Sequence, residues 1–250
     1  MLDKMKKWYR YIVQNNIIDF KEFLDNIEDV NCKDWDGTTP LMLAVYHNRP
    51  DMVYLLLLAG ADPNIQSIYG KTALDIAKTP EMKRILNETT EERIVNLIKE
   101  NFTNLAIKLI DESNANYIIK EGNITFLMWA SYRNNIEIAT HLLNKGANPN
   151  IKDNIGKTAL IIACSWNYIK MATLLLNNGA NPNIKDFNGA TALHYTGIKN
   201  SPDLITLLLN NGADPNAIDN SGNKPIDYLP ENLKYLLSKY QEKYERYIDF

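Results

Sequence analysis

A spacing of 33 residues is the feature that most constrains this sequence. Gly146, Gly179 and Gly212 follow one another at that interval, and a second series of glycines ten residues further on keeps it too. Segment 145–219 therefore repeats one sequence pattern, from K-G-A-N-P-N to the next N-G-A-N-P-N and on. A fixed period of this length is typical of one helical unit stacked on copies of itself.

The residues within one period predict a turn followed by two helices. In the repeat 186–217, Gly189 suits the positive φ of a tight turn, and Thr191 is a suitable N-cap for the first helix. The apolar residues of 204–209 form the buried stripe of the second helix, which Gly212 ends in a left-handed conformation. Such a helix pair cannot cover its own apolar face, so each repeat must pack on its neighbours.

The recurring words G-x-T-A-L and L-L-L-N-N-G-A-N-P-N resemble the ankyrin repeat. This resemblance implies an all-α solenoid of about eight stacked repeats, some of them degenerate, each with two helices and a β-turn or hairpin tip. It also implies a concave groove that binds a partner protein. The groove is lined by the second, third and fifth residues of each repeat and by the two residues that end its first helix.

The repeats differ in regularity along the chain. Residues 2–24 predict a polar-faced N-terminal cap, and 34–66 form the most regular repeat. The third repeat has Thr72 at its cap position and is 13 residues short, which predicts that it lacks most of its second helix. Thr89 and Glu92 then have the spacing of a capping box, which predicts a new helix start.

The fourth and fifth repeats keep the period but not the glycines. Ser113 occupies the helix-ending position of the fourth repeat, and Asn123 occupies the turn-glycine position of the fifth. Because Asn tolerates the left-handed conformation better than most residues, the turn at 123 is predicted to be retained.

Two arrangements of the repeats are compatible with the sequence. Asp75 and Asp227 stand where an interior repeat has His194, and both of these repeats then shorten, as C-terminal caps of the family do. This pattern predicts two sub-arrays. Residues 1–88 would hold an N-terminal cap, one full repeat and a truncated cap-like repeat, and 89–250 would hold five repeats, the last a cap with an extended helix. The alternative is one continuous solenoid with a single truncated repeat.

Composition and motifs argue against several classes of function. The formal net charge is −3 without a basic stripe, so we expect no nucleic-acid partner. The sequence has no G-x-G-x-x-G, G-x-x-x-x-G-K-[ST], H-E-x-x-H or G-x-S-x-G motif, so we predict no catalysis and no cofactor. Cys32 and Cys164 match no metal-ligand spacing, so we predict free thiols and no metal.

The location of the protein is predicted from what the sequence lacks. No secretory signal and no membrane span is recognised, so we expect a cytoplasmic monomer, with secretion by another route left open.

Several single residues are assigned to structure rather than function. His194 is predicted to tie neighbouring turns together, and His141 is predicted to lie on the surface. Cys164 is predicted to be a buried, inert thiol. Trp8 and Trp129 are predicted to lie in the core.

Large aromatic residues recur at positions of the predicted groove that the fold does not dictate. Trp, Tyr and Arg are the residues that dominate binding hot spots, so these positions predict a partner-binding surface. The alternative is that the rings pack on adjacent turns and stiffen the groove. The candidate partner-binding residues are Trp35, Tyr46, His47, Tyr69, Tyr132, Arg133, Ile155, Trp166, Phe187 and Lys199.

The predicted function is therefore non-catalytic binding of a partner protein in the groove, as a scaffold or interaction module. One alternative is a secreted effector or inhibitor that targets a host or competitor protein. Another is docking to a membrane surface through the C-terminal helix, where Tyr240, Tyr244 and Tyr247 share one face.

Overall fold

Short α-helices in pairs make up nearly all of the regular structure. The computed structural model describes residues 2–25, 29–99, 103–197 and 201–248. These residues divide into two compact units, Met1–Thr90 and Glu91–Phe250.

The first compact unit consists of three helix pairs. Its helices are α1 (Leu2–Val13), α2 (Ile17–Asp25), α3 (Pro40–Tyr46), α4 (Pro50–Leu58), α5 (Ala73–Ile76) and α6 (Pro80–Asn87). α3 packs between α1 and α5, and α4 packs between α2 and α6, so the first and second helices form two rows. The core of these rows includes the fully buried side chains of Trp8, Phe20, Leu56 and Met82. The prediction for Trp8 is confirmed.

The prediction that the third repeat lacks most of its second helix is wrong. α6 has 8 residues against 9 in α4, whereas α5 has only 4 against 7 in α3. α5 ends at Ile76, because its C-cap residue Ala77 already has an extended ψ of 117°. Thr79 then caps α6 through its side chain, and Pro80 occupies the first position of α6. The shortened helix of this repeat is therefore the first one, whereas α6 keeps nearly the length of α4. The buried carboxylate of Glu88 then accepts hydrogen bonds from Tyr54 and Arg84 and fixes the end of α6.

The second compact unit continues the same two-row packing. Its elements are α7 (Thr90–Lys99), α8 (Thr103–Leu109), β1 (Ile118–Ile119), β2 (Ile124–Thr125), α9 (Phe126–Tyr132), α10 (Ile136–Asn144), α11 (Ala159–Ser165), α12 (Ile169–Asn177), α13 (Ala192–Thr196), α14 (Pro202–Asn210), a 3-10 helix (Pro225–Tyr228) and α15 (Glu231–Ile248). The first helices pack in the order α9, α11, α13 and 3-10 helix, and the second helices in the order α8, α10, α12, α14 and α15. β1 and β2 form an antiparallel hairpin that pairs Ile118 with Thr125.

Threonine hydroxyls begin the first helices, as the sequence predicts. The Oγ1 atoms of Thr39, Thr125 and Thr158 each accept a hydrogen bond from the amide three residues on, at 3.2–3.3 Å. This bond satisfies an amide that has no partner within the helix. Asn123 has a φ of +57°, so its predicted left-handed conformation is confirmed.

Two of the single-residue predictions need correction. Trp129 is half-buried rather than core, and its ring faces the ammonium of Lys99, with Nζ 4.7 Å from the ring centroid. His141 is half-buried rather than on the surface, because its Nε2 lies 3.1 Å from the carbonyl oxygen of Ile110 in the preceding repeat. Cys164 is fully buried, and burial raises the pKa of its thiol, in agreement with an inert side chain.

Candidate partner-binding surface

The turns that precede the first helices share one backbone geometry. Oδ1 of Asp153 accepts hydrogen bonds from the amides of Ile155 and Lys157, at 3.0 and 2.8 Å. Asp186 and Asp219 make the same pair of bonds to the amides two and four residues on. Each aspartate thus fixes its own turn through bonds to the backbone. The side chains of Ile155 and Phe187 at the tips take no part in these bonds.

Neighbouring turn tips are also joined through the backbone. The amide of Phe187 donates to the carbonyl of Ile155 at 3.1 Å, and the amide of Asn220 donates to the carbonyl of Asn188 at 2.9 Å. Tips of successive repeats therefore lie side by side in a fixed register.

Ile155 and Phe187 form an exposed apolar pair at these tips. The side chain of Phe187 lies against the backbone of Gly156, where an added Cβ would be 2.7 Å from ring atom Cδ1. Ile155 and Phe187 are nevertheless 50% and 64% exposed. Contact with the neighbouring tip thus fixes the place of the Phe187 ring without burying it.

A cation and a tyrosine lie beside this apolar pair. The Nζ atom of Lys157 is 4.8 Å from the ring centroid of Tyr195 in the next repeat, which is the geometry of a cation–π contact. The hydroxyl of Tyr195 donates to Oδ2 of Asp186. Burial, together with this carboxylate, raises the pKa of Tyr195. The contacts hold the ammonium of Lys157 near the tips.

The ends of the first helices add an aromatic and a cationic side chain. Trp166 follows the last residue of α11 and is 54% exposed, and Arg133 occupies the equivalent, exposed position after α9. Tyr132, the last residue of α9, is half-buried, and its pKa is raised by burial and by the charge of Asp153. Because α9 and α11 pack side by side, these helix ends lie one repeat apart. We define the tip face of the second compact unit as Tyr132, Arg133, Ile155, Lys157, Trp166, Phe187 and Tyr195.

The first compact unit has a comparable set of exposed side chains. Trp35 is 84% exposed and Tyr69 is 71% exposed, and the hydroxyl of Tyr69 donates to Oδ1 of Asp36 at 3.4 Å. Tyr46 is 57% exposed at the end of α3, where its ring meets His47 edge to face at 5.2 Å. These four candidates share one compact unit, and the candidates between 132 and 187 share the other.

Two residues complete the comparison with the sequence prediction. Lys199 lies outside the described residues. Tyr195 is not among the binding residues predicted from the sequence. The signal for it was present in the sequence, since Asp186 and Tyr195 are nine residues apart, as are Asp219 and Tyr228, and both pairs are hydrogen-bonded.

The C-terminal helix packs on the array over the part whose side chains are described. α15 contacts α14, and the hydroxyl of Tyr240 donates to Oδ1 of Asn210 at 2.7 Å. The side chains of Tyr244 and Tyr247 lie outside the description. None of the described helices is long and apolar enough to span a bilayer. Within the described ranges, no three His, Cys, Asp or Glu side chains gather as a metal site would require.

Rows of paired helices joined through hydrogen-bonded turn tips define a helical-repeat protein. Residues 94–186 and 127–219 match the family model for ankyrin repeats in three copies, and 24–77 match the model for ankyrin repeats in many copies. The chain belongs to the ankyrin-repeat family, which confirms the predicted fold. Ankyrin repeats generally mediate protein–protein interaction and are typically not enzymes.

Similar proteins come from several kinds of organism. An ankyrin repeat protein of fowlpox virus, FPV222, is 33% identical over 172 residues, which is 65% of this chain and 19% of the relative. An ankyrin repeat protein of Rickettsia bellii is 29% identical over 139 residues, 50% of this chain and 19% of the relative. Human neurogenic locus notch homolog protein 1 is 29% identical over 147 residues, 53% of this chain and 6% of the relative. The chain spans no more than about a fifth of the length of these relatives.

Proposed function

We propose that this chain is a non-catalytic binding protein that recognises a partner protein with the tip face of its second compact unit. The observation that carries the proposal is the exposure of Ile155, Trp166 and Phe187, each at least half exposed, on turns and helix ends held by other groups. Exposed apolar side chains that are grouped together are a mark of interaction surfaces.

The composition of the tip face fits a binding hot spot. Trp, Tyr and Arg are enriched at hot spots, and the tip face contains Trp166, Tyr132 and Arg133 beside its two apolar tips. A stable complex buries roughly 800 Å² on each partner. A row of several adjacent repeats offers a surface of this size, and the backbone bonds between tips hold it in one conformation, which reduces the entropy lost on binding.

We propose that the chain binds its partner in a reducing compartment. Cys32 and Cys164 are both free thiols. Because free thiols persist in the cytosol, we place the binding event there, with the chain acting as a monomer.

The experiment measures the affinity of a captured partner for variants of the chain. The full chain is used to isolate a protein from native cells, and the purified partner is titrated by calorimetry. Trp166→Ala is expected to weaken binding by about 2 kcal/mol or more, which is a factor of about 30, with an unchanged thermal melt.

The matched control is Tyr235→Ala, which removes another exposed aromatic side chain, 64% exposed on α15, away from the tips. It is expected to leave the affinity unchanged. A partner whose binding survives Trp166→Ala and Phe187→Ala but is lost with Tyr235→Ala would overturn the proposal.

A further inference from the structure

We propose that the partner segment bound at the tip face is an acidic peptide segment that also carries an apolar side chain. The inference rests on the proposed function, and it adds the chemistry of the partner.

The first observation that favours an acidic partner concerns the contacts of the two cations on the tip face. Among the described residues, neither Arg133 nor Lys157 forms an ion pair within 4.0 Å, and the contact of Lys157 is to the ring of Tyr195. Arg133 is exposed and Lys157 is half-buried. Both positive charges are therefore available to carboxylates that a partner brings.

The second observation that favours an acidic partner is that the neighbouring carboxylates are already hydrogen-bonded within the chain. Asp153 and Asp186 are each 5% exposed, and each accepts two backbone amides with one carboxylate oxygen. The second oxygen of Asp186 accepts the hydroxyl of Tyr195. These carboxylates are covered by the turns they stabilise. The charged groups of the tip face that a partner can reach are therefore the cations of Arg133 and Lys157, around an apolar centre.

The distribution of charged side chains along the row of tips also predicts where the bound segment lies. The exposed carboxylate of Glu121 stands on the preceding tip beside Lys120, so that end of the row adds no net charge. Arg133 follows α9 in the same repeat as Glu121, and Lys157 follows the tip of the next repeat, where the carbonyl of Ile155 accepts the amide of Phe187. The carboxylates of the partner are expected near residues 133 and 157, and its apolar side chain is expected against Ile155, Phe187 and Trp166.

A peptide fits this surface better than a nucleic acid. Nucleic-acid binding depends on neutralising many phosphates in a row. The tip face has two cations, which form no ion pair with any described residue, on an apolar surface, and the buried charges of Asp153 and Asp186 lie just below it. A short segment with a few carboxylates and one apolar anchor matches both the number and the placement of these groups.

The test is a selection of random twelve-residue peptides displayed on phage, with the full chain as the target. Peptides that are retained by the wild type but not by the Trp166→Ala, Phe187→Ala double variant define ligands of the tip face. These peptides are expected to be enriched in Asp and Glu around an apolar residue.

Affinity measurements on the selected peptides then test the role of charge. The double variant Arg133→Gln, Lys157→Gln is expected to bind them about tenfold more weakly at ~0.05 M salt, with most of the difference lost at ~0.5 M. The control Lys145→Gln, Lys170→Gln removes the same charge from the region of the second helices and is expected to have no effect. Thermal melts of all variants establish that each is folded.

The outcomes separate this inference from the proposed function. If no retained peptide depends on Trp166 and Phe187, binding at the tip face fails, and the inference fails with it. Peptides that depend on these residues but are neutral or basic, or are insensitive to Arg133→Gln, Lys157→Gln, overturn only the acidic chemistry. Tight binding of a twelve-nucleotide single strand at this face, or a dimer that Trp166→Ala dissociates, would also overturn it.

Discussion

The side chain of Phe187 packs directly on the backbone of Gly156, one repeat away. A Cβ built on Gly156 would be 2.6 Å from the amide nitrogen of Phe187 and 2.7 Å from its ring. Gly156 also has a φ of +83°. One glycine thus both permits the turn and lets the next tip approach closely enough to donate its amide to Ile155.

Gly156→Ala is expected to lower the free energy of unfolding by more than the strain of a left-handed residue alone, which is about 1–2 kcal/mol. The additional loss arises because the new methyl group displaces the tip that holds Phe187. The control is Gly146→Ala, since Gly146 has a φ of +84° and nothing within 4 Å of its added Cβ. Urea unfolding of both variants gives the comparison, and equal losses would contradict the close-approach argument.

Leu175→Ala is expected to destabilise the chain by about 2–5 kcal/mol, because Leu175 is completely buried in α12 and its removal leaves a cavity. Ile155→Ala, at a half-exposed tip, is expected to change the stability by less than about 1 kcal/mol. Denaturant unfolding of both variants measures the two changes in stability, with one common slope of the unfolding free energy against denaturant concentration. A loss at residue 155 as large as that at residue 175 would mean that the tip is part of the core.

Asn183→Ala is expected to weaken the coupling between two repeats. The Nδ2 of Asn183 donates to the carbonyl of Gly212 at 2.8 Å, and its Oδ1 accepts the amide of Asp214 at 2.7 Å. Loss of two bonds of this kind costs about 1–2 kcal/mol. The control Asn211→Ala removes a bond from Nδ2 to the carbonyl of Leu207 within a single helix end. In Asn183→Ala, amide hydrogen exchange is expected to become faster in the two repeats on either side of residue 183. Unchanged protection of these amides would refute the coupling.

His194 is expected to make stability depend on pH. Its Nδ1 accepts the amide of Thr191 at 3.1 Å and its Nε2 faces the carbonyl of Asn223 at 3.4 Å, so the neutral ring with a proton on Nε2 fits. Burial lowers the pKa of His194 below its ordinary value of 6.5. The unfolded chain therefore binds the proton first as pH falls. The stabilisation is complete above about pH 6.5 and declines below it.

The measurement is the free energy of unfolding from pH 7.5 downwards, compared with His194→Asn. The asparagine oxygen can accept the amide of Thr191 but does not titrate. The loss of stability on acidification is expected to be smaller in the variant than in the wild type, since the other titrating groups are common to both. Parallel curves would exclude His194 as the source.

Much of the fold was predictable because the repeat fixes backbone geometry by residue type. The 33-residue period predicts a positive φ at Gly146, Gly179 and Gly212, and all three have it. Asn123, which takes the place of glycine in the second series, has a positive φ too. The third repeat was misjudged because counting residues cannot show which helix loses them. The shortened helix is α5, which ends before the extended residue Ala77, while Thr79 and Pro80 begin an α6 of nearly full length.

The candidate surface was predictable in its exposure but not in its contacts. Ile155, Trp166 and Phe187 lie at positions that the repeat leaves exposed, and they are exposed. Tyr195 is absent from the predicted surface. The equivalent residue Ile162 is buried in the core, whereas the hydroxyl of Tyr195 reaches a polar partner, Asp186. The nine-residue spacing of Asp186 and Tyr195 is in the sequence, but the hydrogen bond between them is seen only in the structure. Whether 1–88 and 89–250 act as separate sub-arrays stays a prediction.

The way in which the turns are held has an evolutionary consequence. Because an aspartate and main-chain amides fix each tip, the side chains at positions such as 155 and 187 can be exchanged while the scaffold bonds remain. New specificity can therefore arise by point substitution at a few exposed positions, with little of the stability loss that usually accompanies altered function. The support of each tip and its contact side chains are thus separate groups of atoms, and either can change without the other.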